Sequence, residues 1–458
     1  MKVIVCGAGQ VGYSIARYLA TEQNDVTVID QSAELIHKIS DSIEARAIVG
    51  HASHPSVLEQ AGAADADVII AVTYTDEVNM VACTVAHALF NVPTKIARIR
   101  QQNYLQPIWA DLFARDHVPI DVIISPEIEV ARAVARRLQV PGAFDVVPLG
   151  DGAVRVVGVR CAADCPVVNT PLRQLTGLFP DLHIVVVAIL RDERPIVPDS
   201  DDQMLPGDEV YFVCEASHVS RALSAFGHEE PEARRIVIAG GGNIGMFLAQ
   251  EIEAHQPGVS LKLIELNAER ANAVQQSLSR TVVLTGSALD PEILEEANVR
   301  QAETFVALTN EDEVNIIASL LAKRFGAGRT VTLVNSNSYG PLVGQLGIDA
   351  VVSPRAITVS SILQHIRRGR IRAAYSLRDG FGEVIEAEAM ETSGLVGKQL
   401  KDARFPPGTI VGAIVRGKDV IMPRSNTVIQ AKDRVVIFAT AETVKKIEKL
   451  FSVQLEFF

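Results

Sequence analysis

Two six-residue segments in this chain share one spacing. Gly7-Ala8-Gly9-Gln10-Val11-Gly12 and Gly240-Gly241-Gly242-Asn243-Ile244-Gly245 both read GxGxxG, each between a β-branched run and a helical pattern. The chemistry of such a loop is anion binding. Its first glycine makes a tight turn, its second lets a pyrophosphate approach the backbone, and its third lets helix and strand pack closely. The helix that follows offers unpaired N–H groups and the positive end of its dipole.

A GxGxxG alone is weak, and its confirming context is an acid about 20 residues on, at the end of the second strand. Asp30 closes Val26–Ile29 and Glu265 closes Leu261–Ile264. A carboxylate there accepts from ribose hydroxyls and repels a 2′-phosphate, which disfavours NADP. NAD and ATP or ADP share the adenosine and phosphates that the pattern reads, so it does not choose between them. Thr73 and Thr309 follow the apolar runs Val68–Val72 and Phe305–Leu308, at the carboxyl edge where open α/β sheets take ligands. Thr-x-x-Asp, at Thr73/Asp76 and Thr309/Asp312, also reads as a helix capping box. Arg98 and Arg100 end the next strand, either as charge-assisted phosphate donors or as a solvated basic strand end. The second half has Leu333-Val334-Asn335 there and no arginine.

No catalytic residues emerge. Walker A, HExxH and nucleophile-elbow patterns are absent. His51 and His54 form a His-x-x-His without a nearby acid, and their counterparts are Ser287 and Asp290, so no metal site is expected. Five scattered cysteines make no disulfide framework and read as buried thiols.

The elements that carry these residues are duplicated. Gly50–Ala61 matches Gly286–Ala297, and Thr73–Asn79 matches Thr309–Asn315 in the same register. Ser125-Pro126 returns as Ser353-Pro354, and Arg191–Pro198 as Arg416–Pro423. The charged, Pro-containing stretch His228–Glu232 is the seam. Each half opens with strands alternating with helices, which predicts a parallel sheet covered on both faces. It closes with a small strand-rich α+β unit. The fold class is therefore α/β, two Rossmann-like parallel-sheet domains each followed by a small α+β domain. The boundaries are 1–123, a bridging helix at 124–142, 143–227, then 232–352, a bridging helix at 353–367, and 368–453.

Composition narrows the function further. The 458 residues carry 43 Lys and Arg against 55 Asp and Glu, a net charge of −12, opposite to what phosphate-neutralising nucleic-acid binders need. The longest apolar runs, such as Ile184–Leu190, are far short of a membrane span. The first residues run straight into the glycine loop, so a soluble cytoplasmic chain without a signal peptide is expected. Arg367-Arg368-Gly369-Arg370-Ile371-Arg372 is the one basic cluster, read as a solvated helix end or an intersubunit contact.

On VIVCGAGQVG with Asp30, the Thr73–Asn79 segment, Ala97-Arg98-Ile99-Arg100 and Ser125-Pro126, the chain resembles the TrkA-type regulatory subunits of Trk potassium uptake systems, built of RCK-N and RCK-C domains. The resemblance covers nearly the whole chain. It implies NAD(H), and ATP or ADP at the same sites, held by Gly7, Ala8, Gly9, Gln10, Val11, Gly12, Asp30, Thr73, Tyr74 and Arg98. In the second half it implies Gly240, Gly241, Gly242, Asn243, Ile244, Gly245, Glu265 and Thr309. It also implies a homo-oligomer, a tetrameric ring, on the cytoplasmic face of the inner membrane, against a potassium-translocating subunit of the TrkH/TrkG type. His51 departs from the family pattern, where an acid is common, as does the missing arginine of the second half. An NAD-dependent oxidoreductase and a nucleotide-binding scaffold without a transport partner are the rival readings.

Overall fold

The computed structural model describes residues 1–179, 182–192, 194–336, 339–366, 371–377 and 381–451. Most of the basic cluster, Arg367 to Arg370, lies outside them. No helix among the described residues is long and apolar enough to cross a membrane. The chain forms two compact units, one holding Met1–Glu129, Arg355–Glu383 and Ala439–Lys449, the other Val130–Pro354 and Val384–Phe438.

In the first unit the chain runs β1 (Lys2–Cys6), α1 (Gln10–Thr21), β2 (Asp25–Asp30), α2 (Ala33–Ser42), β3 (Arg46–Val49), α3 (Pro55–Gln60), β4 (Val68–Ala71), α4 (Asp76–Phe90), β5 (Thr94–Arg98) and β6 (Val122–Ile124). The six strands pair in the order β3-β2-β1-β4-β5-β6, all parallel. The order reverses between β1 and β4, which opens a crevice at their carboxyl ends. Alternation along β1 sends Val3 and Val5 to one face, with Ile15, Leu19 and Ile39. It sends Ile4 and Cys6 to the other, with Leu58, Ala82 and Ala86. Helix α5 (Pro126–Leu138) follows β6.

The second unit carries an antiparallel sheet of β7 (Ala143–Leu149), β8 (Val154–Arg160), β9 (Ile184–Arg191), β10 (Arg194–Ile196) and β11 (Glu209–Glu215), ordered β10-β9-β11-β8-β7. Helices α6 (Leu172–Leu178) and α7 (Val219–Ala225) accompany it. This is the small α+β module. The parallel sheet then returns through β12 (Arg235–Ala239), α8 (Asn243–His255), β13 (Ser260–Glu265), α9 (Ala268–Ser277), β14 (Val282–Thr285), α10 (Pro291–Glu296), β15 (Thr304–Ala307), α11 (Asp312–Phe325), β16 (Arg329–Leu333), α12 (Gly340–Gln345) and β17 (Ala350–Val352). Its order, β14-β13-β12-β15-β16-β17, copies the first sheet.

Helix α13 (Pro354–Ile366) comes from the second half of the sequence but buries Val359, Ile362, Leu363 and Ile366 in the core under β1 and β2 of the first unit. Full burial of such side chains contributes about 1.5–3 kcal/mol each. The described chain closes with β18 (Ile371–Leu377), β19 (Gly382–Glu388), β20 (Thr409–Arg416), β21 (Asp419–Ile421), β22 (Arg434–Thr440) and α14 (Val444–Leu450). Strands β20 and β21 form an antiparallel hairpin.

Candidate functional site

At the first sheet's switch point, Gly7 adopts φ +110° and its N–H donates to the Ile29 carbonyl at 2.7 Å. That bond ties the loop from β1 to α1 against the end of β2. A Cβ on Gly12 would stand 1.8 Å from the Gly7 carbonyl oxygen, so this glycine serves the packing of α1 on the turn. Gly9, the N-cap of α1, meets nothing within 4 Å and no side chain caps the helix. Its space and the N–H groups behind it are therefore available to an anion.

Asp30 ties this cradle together. Its carboxylate accepts the Ala8 N–H at 2.7 Å and the Ser32 N–H at 2.8 Å. Across the crevice, Thr73 donates its N–H (2.9 Å) and hydroxyl (2.7 Å) to Asn79 Oδ1, while Asn79 Nδ2 donates to the carbonyls of Thr73 and Arg98. Asn79 is fully buried. The sequence had not singled out this residue, although it closes the repeated Thr73–Asn79 segment.

Arg98 donates to the Thr73 carbonyl at 2.7 Å, and its Nε is buried with no partner among the described residues. Burial, then the neighbouring Arg100, lower its pKa, with Glu127 and Asp76 opposing them. A half-satisfied buried guanidinium at this edge fits a phosphate, which would satisfy both its charge and its free N–H.

Two expectations change. Thr73 and Asp76 do not form a capping box: Thr75 is the N-cap and makes no side-chain bond. The Asp76 carboxylate instead accepts the N–H groups of Arg100 and Gln101 at 2.9 and 2.7 Å, and Asp312 takes those of Asn335 and Ser336. The strand ends demand these acceptors, because their amides would otherwise be unpaired. Arg100 is not simply a solvated strand end: its Nε reaches Glu127 in the first turn of α5 at 3.1 Å. Tyr74 is 85% exposed on the lip, its ring 5.9 Å from the Arg100 guanidinium. Gln10 and Val11 open α1, with Val11 packed against the core.

The second cleft repeats the plan. Gly240 has φ +109°, a Cβ on Gly245 would lie 2.0 Å from its carbonyl oxygen, and Gly242 again meets nothing within 4 Å. Glu265 accepts the Gly241 N–H at 2.7 Å and the Asn267 N–H at 2.8 Å. Thr309 gives its N–H and hydroxyl to Asn315 Oδ1, both at 2.8 Å, and Asn315 Nδ2 reaches Leu333 O. Asn243 and Ile244 begin α8. Arg270, which sequence reasoning missed, donates from Nε to Gly241 O at 2.7 Å and from its terminal nitrogen to Asn243 Oδ1 at 3.3 Å.

Elsewhere, His51 Nδ1 pairs with Ser53 at 2.8 Å and its ring stacks on His54. All five cysteines are free and buried.

Fold and clefts together define a chain of two parallel-sheet domains with glycine-loop clefts, each followed by a small α+β module. A TrkA-N domain model matches residues 3–126 and 236–354, and a TrkA-C domain model matches 156–227 and 384–452. The chain is 56% identical over 458 residues to the Trk system potassium uptake protein TrkA of Azorhizobium caulinodans, covering 100% of both. Among solved structures, the GsuK RCK domain matches with TM-score 0.60 at 17% identity, over 98% of this chain and 94% of that one. The GsuK channel bound to NAD matches with TM-score 0.58 at 18% identity, over 98% and 78%. The chain belongs to the TrkA family, with its TrkA-N and TrkA-C domains present twice.

Proposed function

We propose that this chain is the nucleotide-sensing regulatory subunit of a potassium uptake system, taking NAD(H) or ATP/ADP in its two clefts and gating a membrane potassium-translocating partner of the TrkH/TrkG type. It works without catalysis, on the cytoplasmic face of the inner membrane, as a ring of four copies. Its nucleotide domains are bounded at 1–123 and 232–352, and its small domains at 143–227 and 368–453.

The observation that carries the reading is the cradle built twice. In each half an acid holds the glycine-loop N–H, while the middle glycine faces open space. Membership of the TrkA family supports the transport role, and the GsuK channel bound to NAD, a protein of similar fold, supports the nucleotide reading.

The bound nucleotide supplies differential affinity and no covalent chemistry. Gly9 and the start of α1 receive phosphate, Asp30 receives ribose hydroxyls, and Arg98 neutralises charge beside Thr73. Arg100, two residues on, holds Glu127 on α5, so a shift at the β5 end moves the root of that helix. A ligand that prefers one ring shape populates it by its difference in affinity; about 5.5 kcal/mol carries an equilibrium from 1:99 to 99:1.

The test is calorimetric titration of NADH, NAD, ATP and ADP into wild type, Asp30→Ala and Glu265→Ala, with potassium uptake measured beside it. Each substitution is expected to weaken its own cleft. If neither weakens any nucleotide, the reading fails.

A further inference from the structure

The two clefts have exchanged an arginine and a leucine. Asn79 Nδ2 donates to the carbonyl of Arg98, and Asn315 Nδ2 donates to that of Leu333, so Arg98 and Leu333 hold the same place at the strand end. The Ser32 hydroxyl caps α2 by accepting from Leu35 N–H, and the Asn267 side chain caps α9 by accepting from Arg270 N–H, so Leu35 and Arg270 hold the same helical position. The first cleft therefore reads Leu35 and Arg98, the second Arg270 and Leu333.

Each leucine is absorbed by core: Leu35 packs under the first sheet and Leu333 is buried. Each arginine faces its cleft, but from opposite sides. Arg98 sits past β4, on the Thr73 lip. Arg270 sits beyond the acid-bearing strand β13 and grips the Gly241 carbonyl, whose own N–H is held by Glu265. The acid at the end of the second strand marks the ribose of adenosine. The cation of the second cleft thus stands at the adenosine end, and the far lip has none among the described residues.

We infer that Arg270 sets ligand choice in the second cleft, making it a site for adenosine mono- and diphosphates, whereas Arg98 fits the first to the longer dinucleotide. This rests on the reading of both clefts as nucleotide sites. The phosphate nearest adenosine is held by the half-buried guanidinium as well as by the start of α8, and a nicotinamide half gains no charged partner. A charge-assisted bond of this kind contributes about tenfold in affinity.

The full-length chain decides it by calorimetry with ADP and NADH at two salt concentrations. Asp30→Ala reports the second cleft and Glu265→Ala the first. In the Asp30→Ala background, Arg270→Leu is expected to weaken ADP about tenfold and flatten its salt dependence, while Arg270→Lys retains that dependence. Arg270→Gln, which keeps a donor near Gly241 without the charge, should weaken ADP likewise and guards against a folding defect in the leucine variant. In the Glu265→Ala background, Arg98→Leu should weaken NADH more than ADP. Unchanged ADP binding in both Arg270→Leu and Arg270→Gln overturns the assignment. So does a wild type that binds one equivalent, lost in Asp30→Ala and kept in Glu265→Ala, although the first cleft then stands. A wild type that binds neither nucleotide removes the underlying reading as well.

Discussion

Asn79 holds Thr73 from both sides: Oδ1 takes its N–H and hydroxyl at 2.9 and 2.7 Å, and Nδ2 returns a bond to its carbonyl at 3.3 Å. The same amide reaches Arg98 O, so one buried side chain sets the spacing of two neighbouring strand ends. Replacing it by leucine strands the Thr73 N–H and removes a donor from the Arg98 carbonyl, while the Thr73 carbonyl keeps only its bond from Arg98. We expect a loss of about 2–3 kcal/mol in urea unfolding and weaker nucleotide binding at the first cleft. Asn79→Asp should also be damaging, because its second oxygen would face those carbonyls. Asn315→Leu should repeat the result in the second unit.

Two glycines of one loop should separate folding from binding. Gly9 has φ −63°, open to any residue, and its Cβ would meet nothing. Gly9→Ala should change stability by no more than about 0.5 kcal/mol yet weaken nucleotide, since the methyl occupies the approach to the backbone. Gly12→Ala drives a methyl into the Gly7 carbonyl and should cost about 3 kcal/mol or more. Melting curves beside titrations check both, and a Gly9→Ala protein that binds normally would contradict the cradle.

The α+β modules share an ion pair. Asp208 takes two bonds from Arg191, at 2.9 and 2.8 Å, and the Leu205 N–H; Asp433 takes two from Arg416, both at 2.8 Å, and the Gln430 N–H. The aspartates are buried and the arginines partly exposed. Asp208→Asn and Asp433→Asn should each destabilise by about 2 kcal/mol, read as a drop in urea midpoint at unchanged slope.

Glu253 makes stability depend on acid. Burial works to raise its pKa, but the N–H groups of Ser279, Arg280 and Thr281, with the Thr281 hydroxyl, outweigh it and hold the carboxyl below its ordinary value. A lowered folded pKa contributes stability above the unfolded value, about 4.3, and that contribution disappears as pH falls through the folded value. The melting difference between wild type and Glu253→Gln should be full at pH 7 and shrink below about pH 4. A difference independent of pH would count against the carboxylate.

Local pattern made much of this legible. The glycine loops, Asp30 and Glu265, both threonine lips and the alternation of strand and helix are short-range signals, and the duplication showed them twice. What stayed hidden depends on direction. Thr-x-x-Asp fits a capping box equally well, and only the fold shows Asp76 turned to the next strand end. Arg98 and Arg100 look alike in sequence, yet Arg98 is the last residue of β5 and reaches Thr73, whereas Arg100 lies beyond the strand and turns to Glu127 of α5. Arg270 lay hidden as an ordinary charged helix residue; its exchange with Leu35 appears only when the two N-caps are superposed. Pairings such as Tyr18 with Glu383 join residues 365 apart, beyond any periodicity.

The packing of α13 under the first sheet means that the seam in the gene is not a seam in the protein. A fragment severed at His228–Glu232 would leave Val3, Ile15 and Ile39 bare on one piece and Val359, Ile362 and Leu363 bare on the other. One continuous polypeptide therefore supplies both sides of this core, and the two halves of the repeat are bound to fold together.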